Sequence, residues 1–166
     1  MAQKKVAENS TGSNILRAFM RGPRFTSDQD FVRQYVTPIL GQTPDRPRFL
    51  IVFLDRENHV ISHQTLAICH PPQRRIDLKR CLSLAHKPSG AARCVFIHNH
   101  PGNREPEWSE QDRESIGLLF SLALTRGLDL VDCILWGSAY YKSAYKASRL
   151  REKGFPNPCR GWGYAG

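Results

Sequence analysis

Long apolar runs are missing from this 166-residue chain; none approaches the ~20 residues a membrane-spanning helix requires, so no membrane partner is expected. The N-terminus, Met-Ala-Gln-Lys-Lys-Val-Ala-Glu, carries charge without an apolar segment behind it. No secretory signal is therefore expected, and the expected location is the cytoplasm. The five cysteines, Cys69, Cys81, Cys94, Cys133 and Cys159, are odd in number, and no two have Cys-x-x-Cys spacing. That pattern argues against a disulfide framework or a four-cysteine zinc ribbon and suits small buried hydrophobes. Acidic residues are also scarce, 15 against 24 Lys and Arg, giving a formal charge of +9. Such an excess favours nucleic acid or acidic partners by steering, without sequence specificity. Part of it is concentrated between Lys142 and Arg160, where six basic residues face Glu152 alone. A solvated tail accounts for that segment as well as a phosphate-binding patch does. No internal repeat is present.

Apolar residues make up 40% of the chain, enough for one domain with a core. Residues 1–24 read as a loose N-terminal arm, 25–147 as the domain and 148–166 as a basic, mostly irregular tail. Ser27 or Thr26 can cap a helix through Phe31, Val32, Tyr35 and Val36 that ends near Pro38. Residues 41–47 form a linker. The run Phe49 to Leu54 suits a strand buried on both faces, with a turn at Asp55 to Asn58 and a returning strand from Val60 to Ile68. Ile76, Leu78, Cys81, Leu82, Leu84 and Ala85 have helical spacing, and Lys87-Pro-Ser-Gly90 stops that helix. A strand from Arg93 to Ile97 delivers the chain to His98. A helix starting at Ser109 and ending at Gly127, a strand from Leu128 to Trp136 and a last strand from Tyr140 to Tyr145 complete the reading. Strands mixed with a few helices indicate a single α/β layer fold.

The chemistry lies between His98 and Asp112, in His-Asn-His-Pro-Gly-Asn-Arg-Glu-Pro-Glu-Trp-Ser-Glu-Gln-Asp. His98 and His100 are two apart at a strand end, so alternation puts both imidazoles on one face. Asp112 falls in the first turn of the next helix, and the Pro-Gly-Asn loop can fold it back toward them. Two nitrogens and one carboxylate are the protein ligands of a catalytic zinc site, which keeps a fourth position for water. A plainer reading makes Ser109 an N-cap and Asp112 a helix-stabilising acid; the two readings are compatible. The letters His-Asn-His also name a nuclease class, whose residues are dispersed along a ββα unit, so that match is only literal. Zinc deaminases need His-x-Glu and Pro-Cys-x-x-Cys, which are missing.

The segment resembles the JAB/MPN metalloprotease motif, His-x-His-Pro-x-Gly followed by Ser-x-x-Asp, and more closely the RadC branch with its His-Asn-His-Pro-Ser-Gly. The resemblance extends to Phe49–Asp55 with Asn58, to Arg74-Arg75-Ile76 through Ala92, to Leu130-Val-Asp132-Cys-Ile-Leu-Trp-Gly137 and to Tyr141-Lys-Ser143. It implies a JAB/MPN-like α/β sandwich with a mixed central sheet flanked by helices. It further implies His98, His100 and Asp112 as zinc ligands and Ser109 as the serine that helps hold the oxyanion. Active members hydrolyse peptide or isopeptide bonds with zinc-bound water.

The chain also departs from that pattern. Gly102-Asn103 stands where Ser-Gly is usual, and Pro106-Glu-Trp-Ser109 suggests an insertion before Ser109. Position 75 is Arg where a Glu is usual, and Cys133 replaces a His. The family's general-base glutamate corresponds to Pro47, which cannot take a proton. Asp45, two residues earlier, or Glu57 are the carboxylates left to serve. Two readings follow: a zinc-dependent peptidase or isopeptidase acting on a peptide or protein, or a catalytically weak or inactive metal-binding module that docks protein or nucleic acid.

Overall fold

Six consecutive apolar residues, Phe49–Leu54, form strand β1, and all six are buried. Burial on both faces needs a layer above and below, and that requirement organises the chain. A computed structural model describes residues 21–67, 85–102, 105–149, 151 and 163. Strands β2 (Val60–Ala67), β3 (Arg93–Asn99), β4 (Asp129–Trp136) and β5 (Tyr141–Ser143) complete a sheet of order β2-β1-β3-β4-β5. β1 is antiparallel to β2 and β3, β3 is parallel to β4, and β5 is antiparallel to β4. The mixed α/β architecture expected from the sequence is therefore present.

Helix α1 covers one face. It runs Asp28–Phe31, widens into a π-helical turn at Val32–Val36 and closes with Thr37–Leu40. Ser27 caps it, its Oγ accepting from the Asp30 amide at 3.2 Å. The widened turn lies just before Pro38, where a proline ring crowds the carbonyl four residues back; this lets the helix pass the proline. Phe31, Val32, Val36 and Leu40 pack on Leu50, Val52, Val95, Ile97 and Ile134. Helix α2 (Glu110–Thr125) covers the other face, setting Ile116, Leu119 and Ala123 against Ile51, Phe53, Phe96 and Leu130. No helix of the described residues is long and apolar enough to cross a membrane. The helix expected around Ile76 to Ala85 falls almost wholly outside the described residues.

The last strand is shorter than the sequence suggests. β5 stops at Ser143 and the chain turns into helix α3, Ala144–Arg149, instead of remaining extended to Tyr145. Two side chains cause the switch by satisfying the first helical amides. Ser143 Oγ accepts from Lys146 N at 3.1 Å, and Asp132 Oδ1 accepts from Tyr145 N at 2.9 Å. Farther along, Gly163 is hydrogen-bonded into the sheet. Its amide donates to Val131 O at 2.8 Å, and the buried Arg93 donates to its carbonyl at 2.6 Å while also reaching Asn58 Oδ1. Gly163 has φ +101, and a Cβ there would come within 2.6 Å of the Tyr145 ring. Gly163→Ala is expected to cost about 2 kcal/mol or more, read as a lowered midpoint in urea.

Asp132 is fully buried, and burial lifts its carboxyl to about 7 against the donors Ser143 Oγ and Tyr145 N. The nearby Asp28 carboxylate, itself held by Tyr141 and Lys146, adds to the rise. The unfolded chain loses this proton near the usual 3.8 and the folded one near 7. The stability that protonated Asp132 contributes is thus complete below the lower value and lost as pH rises through the upper one. Asp132→Asn keeps an amide oxygen for Tyr145 N. The stability of wild type relative to this variant should fall between those two pH values and level off above, as measured by urea melts across pH.

Candidate metal centre

β3 ends where α2 begins its approach, and the site forms at that junction. Along β3 the side chains alternate: Cys94, Phe96 and His98 face α2, while Val95, Ile97 and Asn99 face α1. His100, one step beyond the strand, joins His98, and their ring centroids are 5.3 Å apart. Asp112 in the first turn of α2 meets both. Its Oδ1 is 3.0 Å from His98 Nε2, and its Oδ2 is 3.4 Å from His100 Nε2. One ligand atom from each of the three residues lies within 4.8 Å of the others.

Asp112 is oriented by its own helix. Its Oδ2 accepts from Ser109 N at 2.8 Å and Ser109 Oγ at 2.7 Å, while Ser109 Oγ accepts from Asp112 N at 3.1 Å. This is a capping box with Asp in the place usually held by Glu or Gln. The helix-cap reading and the ligand reading of Asp112 thus describe one geometry. Burial works to raise the Asp112 carboxyl. Hydrogen bonds from His100 and His98, the charge of His98 and the Ser109 bond outweigh it and hold the group well below the usual carboxylate range. Phe49 and Trp108 flank the His98 ring at centroid distances of 6.2 and 6.0 Å. Trp108 belongs to the insertion suspected before Ser109, and it is buried in the α2-side core. Its neighbour Glu107 is ion-paired with Lys142 of β5.

These donors fit zinc. Ligand atoms ~2.0–2.2 Å from a tetrahedral zinc lie about 3.3–3.6 Å apart, and the two His–Asp separations, one to each carboxylate oxygen, are 3.0 and 3.4 Å. Two imidazoles and one carboxylate whose Oδ2 is already held by Ser109 make a preset donor group. His98, His100 and Asp112 would hold the ion.

The carboxylates considered as proton acceptors lie elsewhere. β1 begins only at Phe49, and Asp45 sits exposed in the preceding turn, so strand alternation does not reach it. Glu57 is at the opposite end of the sheet. Phe49 pairs with His98 but Leu54 with Arg93, so the turn carrying Glu57 is about 17 Å or more from the imidazoles. It is also ion-paired with Arg21 at 2.6 Å. With Asp55 and His59 it forms a second group of metal-ligand type. Those side chains already serve the turn: Asp55 Oδ1 accepts from the amides of Glu57 and His59, and Arg21 supplies the cation.

Asn99 is what sequence reasoning passed over. Its side chain faces away from the imidazoles, is 4% exposed and bonds the loop before β1. The signal was present, since a residue between two alternating ligands must point to the other face.

A strand end offering two imidazoles, followed by a helix whose first turn offers a carboxylate, defines an α/β domain with a candidate metal-ligand group. The sequence profile of the RadC-like JAB domain matches residues 26–150, and the chain belongs to that family. It is also 28% identical over 132 residues to a UPF0758 protein of Syntrophomonas wolfei subsp. wolfei (strain DSM 2245B / Goettingen), covering 80% of this chain and 54% of that relative. The chain thus spans about half the length of the curated relative it matches.

Zinc at 100 times its dissociation constant should raise stability by about 2.7 kcal/mol, measured as a thermal shift. His100→Ala should abolish the shift while the metal-free protein stays folded.

Proposed function

We propose that the domain is a zinc-dependent hydrolase of amide bonds, peptide or isopeptide, acting on a protein or peptide. The observation that carries this reading is the convergence of His98, His100 and Asp112 beside the Ser109 hydroxyl. Zinc held there would act as a Lewis acid and lower the pKa of a water in its fourth position toward ~7. Among the chain's own groups, Asp112 is kept ionised and oriented by Ser109 and the imidazoles. Ser109 itself is exposed, which suits donation of its hydroxyl to a developing oxyanion once released from Asp112. Asp45 is the carboxylate nearest in sequence to the missing base. The buried thiols of Cys94 and Cys133, both pushed up by burial, suit a cytoplasmic setting.

A second reading, a metal-stabilised docking module, is favoured by Pro47. Asn99 N donates to Arg48 O, which extends the β1–β3 register by one residue; continued one step farther, that register would set Pro47 opposite His100 on the same face. Docked nucleic acid would meet the exposed Arg149 and Arg151, since Lys142 and Lys146 are paired with Glu107 and Asp28.

The two readings separate on Pro47→Glu. A base restored beside His100 should raise zinc-dependent cleavage of a peptide or isopeptide library by ~10²-fold or more. If Asp45 serves in the wild type, Asp45→Ala should lower cleavage and shift the acid limb of its pH profile. No zinc-dependent cleavage by zinc-loaded wild type or Pro47→Glu would leave the docking reading.

A further inference from the structure

We infer that Asn99 is a positioning residue for the metal centre: its buried amide fixes residues 44–48 to the strand end that carries His98 and His100. All of its polar capacity is directed at one loop. Oδ1 accepts from Arg48 N at 2.7 Å, while Nδ2 donates to Pro44 O at 3.2 Å and Arg46 O at 3.0 Å. Its own backbone amide donates to Arg48 O at 3.4 Å. The side-chain carbonyl stands in for the main-chain acceptor that Arg48 N would find if the β1–β3 ladder ran one residue farther.

Three features make this more than a loop anchor. First, the bonds are made by the residue between the two imidazoles, so moving Asn99 rotates the peptides that aim both rings. Second, Asn99 is 4% exposed, and a buried amide that loses its partners costs far more than an exposed one. The clamp therefore has one low-energy arrangement. Third, the clamped loop leads directly into β1, whose first residue, Phe49, pairs with His98 and lies against its ring. Asn99 thus sets the imidazoles and the group opposite them with a single amide. This role rests on the proposed metal site.

The test uses the full chain and cobalt(II) as a spectroscopic stand-in for zinc. Asn99→Asp keeps the shape and the acceptor but loses both donors; Asn99→Ala removes the clamp. Each should weaken cobalt affinity by about tenfold and alter the ligand-field absorption, as loss of groups supporting metal ligands does. Gly163→Ala, which perturbs the opposite end of the sheet, should leave affinity within about twofold at comparable thermal destabilisation. Amide exchange on the metal-free wild type should show Arg48 protected, a reading that needs no variant to fold. Wild-type cobalt affinity in both Asn99 variants, or an unprotected Arg48 amide in the wild type, would overturn the inference. A wild type that binds no cobalt overturns the metal reading and this role with it; Arg48 protection that persists then marks the clamp as purely structural.

Discussion

The carboxylate of Asp112 receives hydrogen bonds from the first turn of its own helix and faces two imidazoles at the end of a neighbouring strand. The rest of the domain serves that meeting. It requires α2 to start at the level where β3 ends, and α2 is held there by Ile116, Leu119 and Ala123 against the sheet. It also requires β3 to be rigid, and β3 is flanked by β1 and β4 with both faces buried. A capping box is worth about 1 kcal/mol to a helix, but here it also prevents the candidate ligand carboxylate from rotating away from the imidazoles. Local helix chemistry and site chemistry have become the same constraint.

The two ends of the sheet do different work. At one end lie the imidazoles, the Asn99 clamp and Trp108, whose neighbour Glu107 is tied to Lys142. At the other lie Arg93, Asn58 and Gly163, a buried polar knot that joins the β1–β2 turn to the C-terminal segment. Between them, Asp132 and Asp28 fasten β5 and α3 to β4 and α1. These buried polar groups sit where elements change direction, because orphan helix and turn amides must find partners there. The apolar layers between need none.

Much of this was legible in one dimension. The continuous apolar run of β1, the Ser27 and Ser109 caps, the left-handed Gly127 that follows α2 and the alternation of His98 and His100 follow from local stereochemistry. The end of β5 was not legible, because Tyr141 to Tyr145 has strand composition. Helix begins there because Ser143 accepts the Lys146 amide and Asp132, eleven residues earlier than Ser143, arrives to accept the Tyr145 amide. The role of Asn99 was hidden for the same reason: its partners, Pro44, Arg46 and Arg48, are more than fifty residues away in sequence.

By itself the sequence determined the candidate ligand set. Residue chemistry and strand periodicity specify which side chains share a face, and His98, His100 and Asp112 needed only a strand and a capped helix to converge. Tertiary structure alone decided what surrounds that set. It put Glu57 at the far end of the sheet and left Asp45 exposed in a turn before β1. Distances between elements depend on pairing register, and register is fixed by long-range hydrogen bonds and the burial of two faces at once. Neither can be read from spacing along the chain.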